Sequence, residues 1–407
     1  MAKRHDPQLT RRTLMQAVSA TGAALGVDLL AGPAAAEKPP MIDPRGHDGI
    51  LRRLPNLELE GLHDFLKGIK VWSLYDLTRK ADARAKEIFA ANGLDKDAPV
   101  PYEKLVGLLE ADPTLAMTGK AFMNIQALKI RTLMNTFEAN ADAYLTELDT
   151  FDKAGPGSLE LNPKMYIDAY LRHEIHTMPG GYCGNPFGGY LYHYGTLLMT
   201  NGRDSQDQQY DGYAAAMPIP KDGKVKRILD VGTGIGQMAT SLKKRYPEAE
   251  VWGIDVGAPM IRYAHMKAID MGLAVNFAQR IGEDTKFPDG YFDLVTSRIM
   301  LHEVTADAAK AIAKETQRIL RPGGVFYPMD VYTSNKVPTE AFERYRDWWI
   351  YRWNNEVWWL DYATLDFNGA MRKAGLQVIE DGPASGWRDV MRLDMGKTVP
   401  NVMAIKV

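Results

Sequence analysis

The chain has 407 residues, of which 45% are hydrophobic and 25% charged, with a formal net charge of -2. That length exceeds what one hydrophobic core usually serves, so about two folded units are expected. The near-neutral charge excludes a broad nucleic-acid footprint, which needs clustered Lys and Arg. The single cysteine, Cys183, excludes an internal disulfide and any multi-cysteine zinc site.

At the amino terminus, Lys3 and Arg4 lead to Thr10-Arg11-Arg12-Thr13-Leu14-Met15, then to a weakly apolar Ala- and Gly-rich stretch. Ala34-Ala35-Ala36 offers a small-residue cleavage site before Glu37. Residues 1–36 therefore resemble a twin-arginine export signal, which implies a periplasmic protein; retention of the segment implies a cytoplasmic one. Asp28 and the glycines argue against a stable membrane span. Residues 37–56 carry Pro39, Pro40, Pro44 and Pro55 and read as a linker.

A mainly helical domain is expected over 57–220. Leu62, Phe65, Leu66, Ile69 and Trp72 recur at three- and four-residue spacing, on one helix face. The pattern returns over Tyr102–Glu110 and from Phe122 to Leu148. Residues 163–217 mix glycine with aromatics, a composition that suits either loops around a flat ligand or an interdomain surface. His173 and His176 lie three apart in this region, but without a clear third and fourth ligand no metal site is expected.

From Lys224 strands alternate with helices: Arg227–Val231, Glu250–Ile254, Phe292–Thr296 and Gly324–Met329 read as buried parallel strands. Leu376–Glu380 and Asn401–Val407 have no helix between them and read as an antiparallel hairpin. The expected fold of 221–407 is therefore a doubly wound, Rossmann-like α/β sheet of seven strands.

The first of these strands runs into Asp230-Val231-Gly232-Thr233-Gly234-Ile235-Gly236, where glycines permit close approach of backbone to a ligand. Asp255 ends the second strand, placed either to accept hydrogen bonds from ribose hydroxyls or to cap the following helix. Gly234 to Ala239 also fits the Gly-x-Gly-x-x-Ala pattern of a nicotinamide-dependent oxidoreductase. Against that reading, a pyrophosphate would find Asp230 repulsive.

Leu229–Gly236, Gly253–Met260, Phe287–Val295, Leu301–Val304 and Leu320–Gly324 together resemble the class I S-adenosylmethionine-dependent methyltransferases, especially their small-molecule and quinone branch. The resemblance implies S-adenosyl-L-methionine as cofactor and a small, aromatic or apolar acceptor. It places Gly232, Gly234 and Gly236 along the methionine part and Asp255 at the ribose. Residues 281–283 would border the adenine, with Ile281 standing where the family usually has an acid, so Gly282–Asp284 backbone or Glu283 takes that role. Asp230, Thr233, Val256, Met260 and Arg298 complete the expected cofactor set.

His302 and Glu303, just beyond the fourth strand, are candidate bases at the carboxyl edge where such sheets bind ligands; His302 also reads as a structural histidine. For the acceptor, two stretches stand out. One contains His173, His176, Tyr182 and Asn185. The other, inside an insertion over 333–362, contains Trp353, Asn354, Asn355 and Glu356 and holds five of the eight tryptophans within residues 348–359. Packing against the N-terminal helices explains that cluster first, and an aromatic pocket explains it as well. Met178–Tyr182 and Asn354–Glu356 resemble stretches in methyltransferases of unassigned substrate. Neither the acceptor atom nor the oligomeric state is legible in the sequence.

Overall fold

The computed structural model describes residues 45–199, 207–331, 339–382 and 401–407. The twin-arginine-like segment lies outside these residues, as does the start of the 333–362 insertion. All described residues belong to one compact unit, Met41–Val407.

Eight strands form the central sheet: β1 Ser158–Glu160, β2 Arg227–Val231, β3 Glu250–Asp255, β4 Asn276–Gln279, β5 Phe292–Arg298, β6 Leu320–Met329, β7 Leu376–Gly382 and β8 Asn401–Lys406. Their spatial order is β1-β4-β3-β2-β5-β6-β8-β7. The strands from β1 to β6 pair in parallel, and β8 runs antiparallel between β6 and β7. The reversal after β2, whose neighbours are β3 and β5, creates the crevice in which open α/β sheets take ligands.

Two strands extend the sequence expectation. β4 has only four residues, and β1 is supplied by the N-terminal region, where it closes the β4 edge. Edge pairing of this kind removes exposed backbone donors and acceptors. Residues 45–56, read as linker, include a short antiparallel pairing of His47–Asp48 with Leu51–Arg52, and Leu51 and Leu54 are buried.

The N-terminal helices start where capping chemistry allows. Asn56 accepts the Leu59 N–H at 3.0 Å before α1, Leu57–Trp72. Asp112 accepts the Thr114 N–H at 2.9 Å, with Pro113 in the first turn of α2, Pro113–Ala139. This long helix buries Phe122, Leu133 and Phe137. One continuous core joins Leu105, Leu115 and Phe122 from this region to Val231, Val295 and Phe326 of the sheet and to Tyr345 and Trp349 of the insertion helix α3, Ala341–Trp353. The helical region is thus packed onto the sheet by shared apolar burial rather than by surface contacts.

Candidate active site

β2 ends in a turn whose glycines adopt left-handed backbone: Gly232 at φ +67°, Gly234 at +54° and Gly236 at +73°. These conformations are costly for a residue carrying a Cβ. Their local demands differ. A Cβ at Gly232 would sit 2.3 Å from the Met300 Cγ, whereas at Gly236 it would strike the Phe277 ring at 2.8 Å. Gly232 thus allows loop-to-loop approach, and Gly236 seats the following helix on the sheet.

The turn is fixed from two sides. Asp230 accepts the Thr233 hydroxyl at 2.6 Å, and Asp255 accepts the N–H groups of Gly234 at 2.9 Å and Gly257 at 2.8 Å. Burial raises both acids; Asp230 reaches about 7, with the Thr233 bond opposing the rise and the nearby Asp255 charge adding to it. A cationic ligand beside Asp230 would relieve that cost.

Above this turn lies a cavity of about 1100 Å³ counting its open mouth. Asp230, Gly232, Thr233, Gly234, Asp255, Val256, Met260, Gly282, Glu283 and Arg298 line it, leaving Gly236 as the one expected cofactor residue behind the wall. Glu283 receives a hydrogen bond from the Tyr170 hydroxyl. Arg298 donates to the Tyr210 hydroxyl at 2.6 Å with its guanidinium 4.4 Å from the ring centroid. The remaining wall mixes aromatic and aliphatic residues, among them Tyr170, Tyr182, Tyr192, Met238 and Ile312, with polar His173, Gln237, Arg280 and Glu303.

Among the described residues, no tryptophan lines this wall. Trp349 packs 4.9 Å from the Phe122 ring, and a Cβ on Gly119 would meet Trp353 at 3.3 Å. Trp359 stands edge-on to His302 with centroids 4.9 Å apart. The tryptophan cluster therefore joins the insertion to the N-terminal helices, the packing alternative given by its spacing. Asn185 is likewise buried in a turn, donating to the Pro179 carbonyl at 2.7 Å and accepting the Phe187 N–H at 2.9 Å.

Of the acceptor candidates, His173 and Tyr182 line the cavity. His176, Asn354, Asn355 and Glu356 lie behind them in a second polar layer. Glu356, 5% exposed, faces His176 Nε2 at 3.1 Å and receives the Asn354 amide at 2.8 Å. Burial would raise Glu356, but His176, His302 and the Asn354 bond together hold its carboxyl below the usual range. Asn355 donates to the Glu174 carbonyl at 2.8 Å.

His302 is also behind the wall, 2% exposed, whereas its neighbour Glu303 reaches the cavity. His302 Nδ1 faces Asp330 at 2.5 Å, and Nε2 lies 3.6 Å from Glu356 and 3.8 Å from Glu303. Asp330 is itself held by the N–H groups of Met300, Leu301 and Val331 at 2.9, 2.6 and 2.7 Å. Burial alone would lower the His302 pKa, but the surrounding carboxylates, Asp330 first, hold it at about 9. Burial raises Glu303 to about 8, partly offset by His302. His302 is therefore an imidazolium at neutral pH, the counter-ion of an acid cluster.

Sequence reasoning missed Asp330. Its signal was positional: an acid directly after β6, at the same sheet edge as Asp230 and Asp255.

The mostly parallel sheet, glycine turn and carboxylate-lined crevice form a Rossmann-like α/β domain. Residues 228–324 match a family model described as a methyltransferase domain. The chain is 46% identical over 109 residues to a demethylmenaquinone methyltransferase of Thermus thermophilus, a match covering 27% of this chain and 49% of that protein. It is 32% identical over 121 residues to a ubiquinone/menaquinone biosynthesis C-methyltransferase of Cupriavidus pinatubonensis, covering 29% of this chain and 49% of the relative. A Burkholderia cenocepacia protein of the same description is 29% identical over 185 residues, 42% of this chain and 74% of its own. The chain thus spans about half the length of the first curated relatives it matches.

Proposed function

We propose that the chain transfers a methyl group from S-adenosyl-L-methionine to a small aromatic acceptor of quinol type. The observation that carries this reading is the meeting, in one cavity, of the Gly232–Gly234 turn, Asp255 and a tyrosine wall within and around the matched segment. The relatives' names support a quinone-like ring as acceptor.

The residues fit such a cofactor. Asp255 keeps carboxylate lone pairs for ribose hydroxyls after its backbone bonds to Gly234, Gly257 and Val256. Gly282 and Glu283 would border the adenine, Met260 and Val256 would pack beside it, and Asp230 would face the cationic end. When bound, S-adenosylmethionine supplies a methyl group already activated on a sulfonium. The protein's part is alignment, exclusion of water and control of one acceptor proton. Tyr170, Tyr182, Tyr192 and Tyr210 exclude water. Glu303, with a pKa of about 8, keeps its proton at neutral pH and donates a hydrogen bond to an acceptor oxygen, while His302 fixes the Glu303 environment.

Incubation with methyl-labelled S-adenosylmethionine and reduced 1,4-naphthoquinone tests this reading, with labelled, solvent-extractable product expected. No label in any organic product would sink it and favour a non-catalytic S-adenosylmethionine-binding protein. The Gly-x-Gly-x-x-Ala pattern favours a second reading, a nicotinamide-dependent oxidoreductase, which binding measurements separate. We further propose export to the periplasm through residues 1–36, with cytoplasmic retention as the alternative. Mass spectrometry of the mature protein decides: cleavage after Ala36 supports export, and an intact Met1 or Ala2 terminus overturns it.

A further inference from the structure

We propose that Glu356, His176 and Tyr182 form a proton-abstracting triad in which the Tyr182 hydroxyl is the atom that meets the acceptor. This inference rests on the methyltransferase reading. At neutral pH Glu303 holds its proton, so the acceptor's proton needs another destination.

The geometry supplies one. Glu356 Oε1 lies 3.1 Å from His176 Nε2, and His176 Nδ1 lies 3.2 Å from the hydroxyl of Tyr182, a residue that lines the cavity. An ionised Glu356 accepts the Nε2 proton, which leaves Nδ1 unprotonated and able to accept from Tyr182. The Tyr182 oxygen then retains lone pairs for an acceptor hydroxyl. The order is that of a carboxylate–histidine–hydroxyl triad, with a phenol in the hydroxyl position.

Backbone strain around the same atoms is an independent observation. His176 at φ +54°, Thr177 at +58° and Asn355 at +59° occupy the left-handed region without being glycine. Such residues persist where surrounding contacts over-determine them, and they cluster at functional sites. Here the Gln126 amide holds the His176 carbonyl at 3.1 Å, and Asn355 holds the Glu174 carbonyl at 2.8 Å. These bonds keep the 174–177 turn in the one conformation that points His176 between Glu356 and Tyr182.

The proton balance is simple. The acceptor O–H bond breaks and its proton joins the Tyr182 oxygen, as the Tyr182 proton moves to His176 Nδ1. The bonding pair stays on the acceptor oxygen as an aryloxide, and the imidazolium faces Glu356. The His176 side chain is 30% exposed, so it returns the proton to water, whereas Glu356 is 5% exposed and stays fixed. Tyr182 is the catalytic residue; His176 and Glu356 are positioning residues that act through it. His173 and Glu356 face His176, and Glu303, Tyr192, Glu356 and Asp255 act on Tyr182.

The test uses the full chain and 4-nitrophenol, a phenol whose anion is coloured. His176→Gly suits the left-handed backbone and opens a space for added imidazole. Wild-type protein is expected to bind the probe at pH 6 with a larger ionised fraction than free solution shows. In H176G and Tyr182→Phe the excess anion is lost, and millimolar imidazole restores it in H176G alone. With naphthoquinol turnover, H176G is expected to lower kcat by roughly 100-fold or more, with KM little changed. Bound probe with the same ionised fraction in wild type and both variants overturns the triad alone. Failure of the probe to bind at millimolar concentration overturns the phenolic-acceptor reading and the triad with it.

Discussion

The glycine turn at 229–236 and the acid–histidine cluster at His302, Asp330, Glu356 and His176 both border one sheet edge, yet they are built in opposite ways. The turn is a continuous piece of chain whose work is done by backbone: left-handed glycines, and N–H groups bonded to neighbouring carbonyls and to an acid from the next strand. The cluster is assembled from segments far apart in sequence, its side chains meeting around one buried imidazolium, with backbone N–H groups holding Asp330. A backbone site is specified by local residue types. A side-chain cluster is specified by tertiary packing, and its charges hold one another in place.

That contrast predicts where substitutions act. In the backbone site, Gly232→Ala combines left-handed strain with a Cβ only 2.3 Å from Met300, which must move. A loss of about 2–5 kcal/mol in stability is expected, with at least 100-fold weaker S-adenosylhomocysteine binding, read by thermal unfolding and calorimetry. Near-wild-type binding would show that the turn does not face the cofactor.

In the cluster, His302→Gln removes the cation shared by Asp330, Glu303 and Glu356. Breaking a buried pair costs about 3–5 kcal/mol, and urea unfolding at pH 6 and pH 10 measures it. The folded pKa of about 9 lies above the ordinary 6.5, so the protonated His302 contribution is full below pH 6.5 and fades as pH rises through about 9. The gap between wild type and variant should therefore shrink at pH 10; a constant gap would contradict an imidazolium.

Asp255→Asn keeps the size of the side chain while replacing one acceptor oxygen by a donor facing backbone N–H groups. An affinity loss of roughly 10- to 100-fold for S-adenosylhomocysteine is expected by calorimetry, with less effect on stability than Gly232→Ala. The smallest effect belongs to Trp353→Phe: about 1–2 kcal/mol from looser packing at Gly119, with unchanged cofactor affinity. Weakened affinity there would return the tryptophan cluster to the site.

How much was legible follows the same division. Asp230, the glycines and Asp255 sit on adjacent parallel strands whose apolar runs and strand–helix alternation are readable in a single sequence. The carboxyl-terminal hairpin was legible as two apolar runs with no helical pattern in the sequence between them. β4 was not, because Asn276–Gln279 is too short to show a pattern, and β1 gains its strand character only by pairing with β4. Glu356 and His176 were singled out as acceptor contacts from composition. Nothing local shows that they face each other 180 residues apart, or that Asp330 pins the imidazole of His302. The tryptophans had two readings at the same spacing, and only the position of α2 against α3 separates them.

The central claim is that the crevice between Gly232, Gly234 and Asp255 is a site for S-adenosylmethionine rather than for a dinucleotide. Calorimetric titration of the full chain with S-adenosylhomocysteine and, separately, with NAD tests it most directly. Micromolar binding of S-adenosylhomocysteine, weakened by Asp255→Asn, with no heat from NAD, is the predicted result. Micromolar binding of NAD with none of S-adenosylhomocysteine would contradict it.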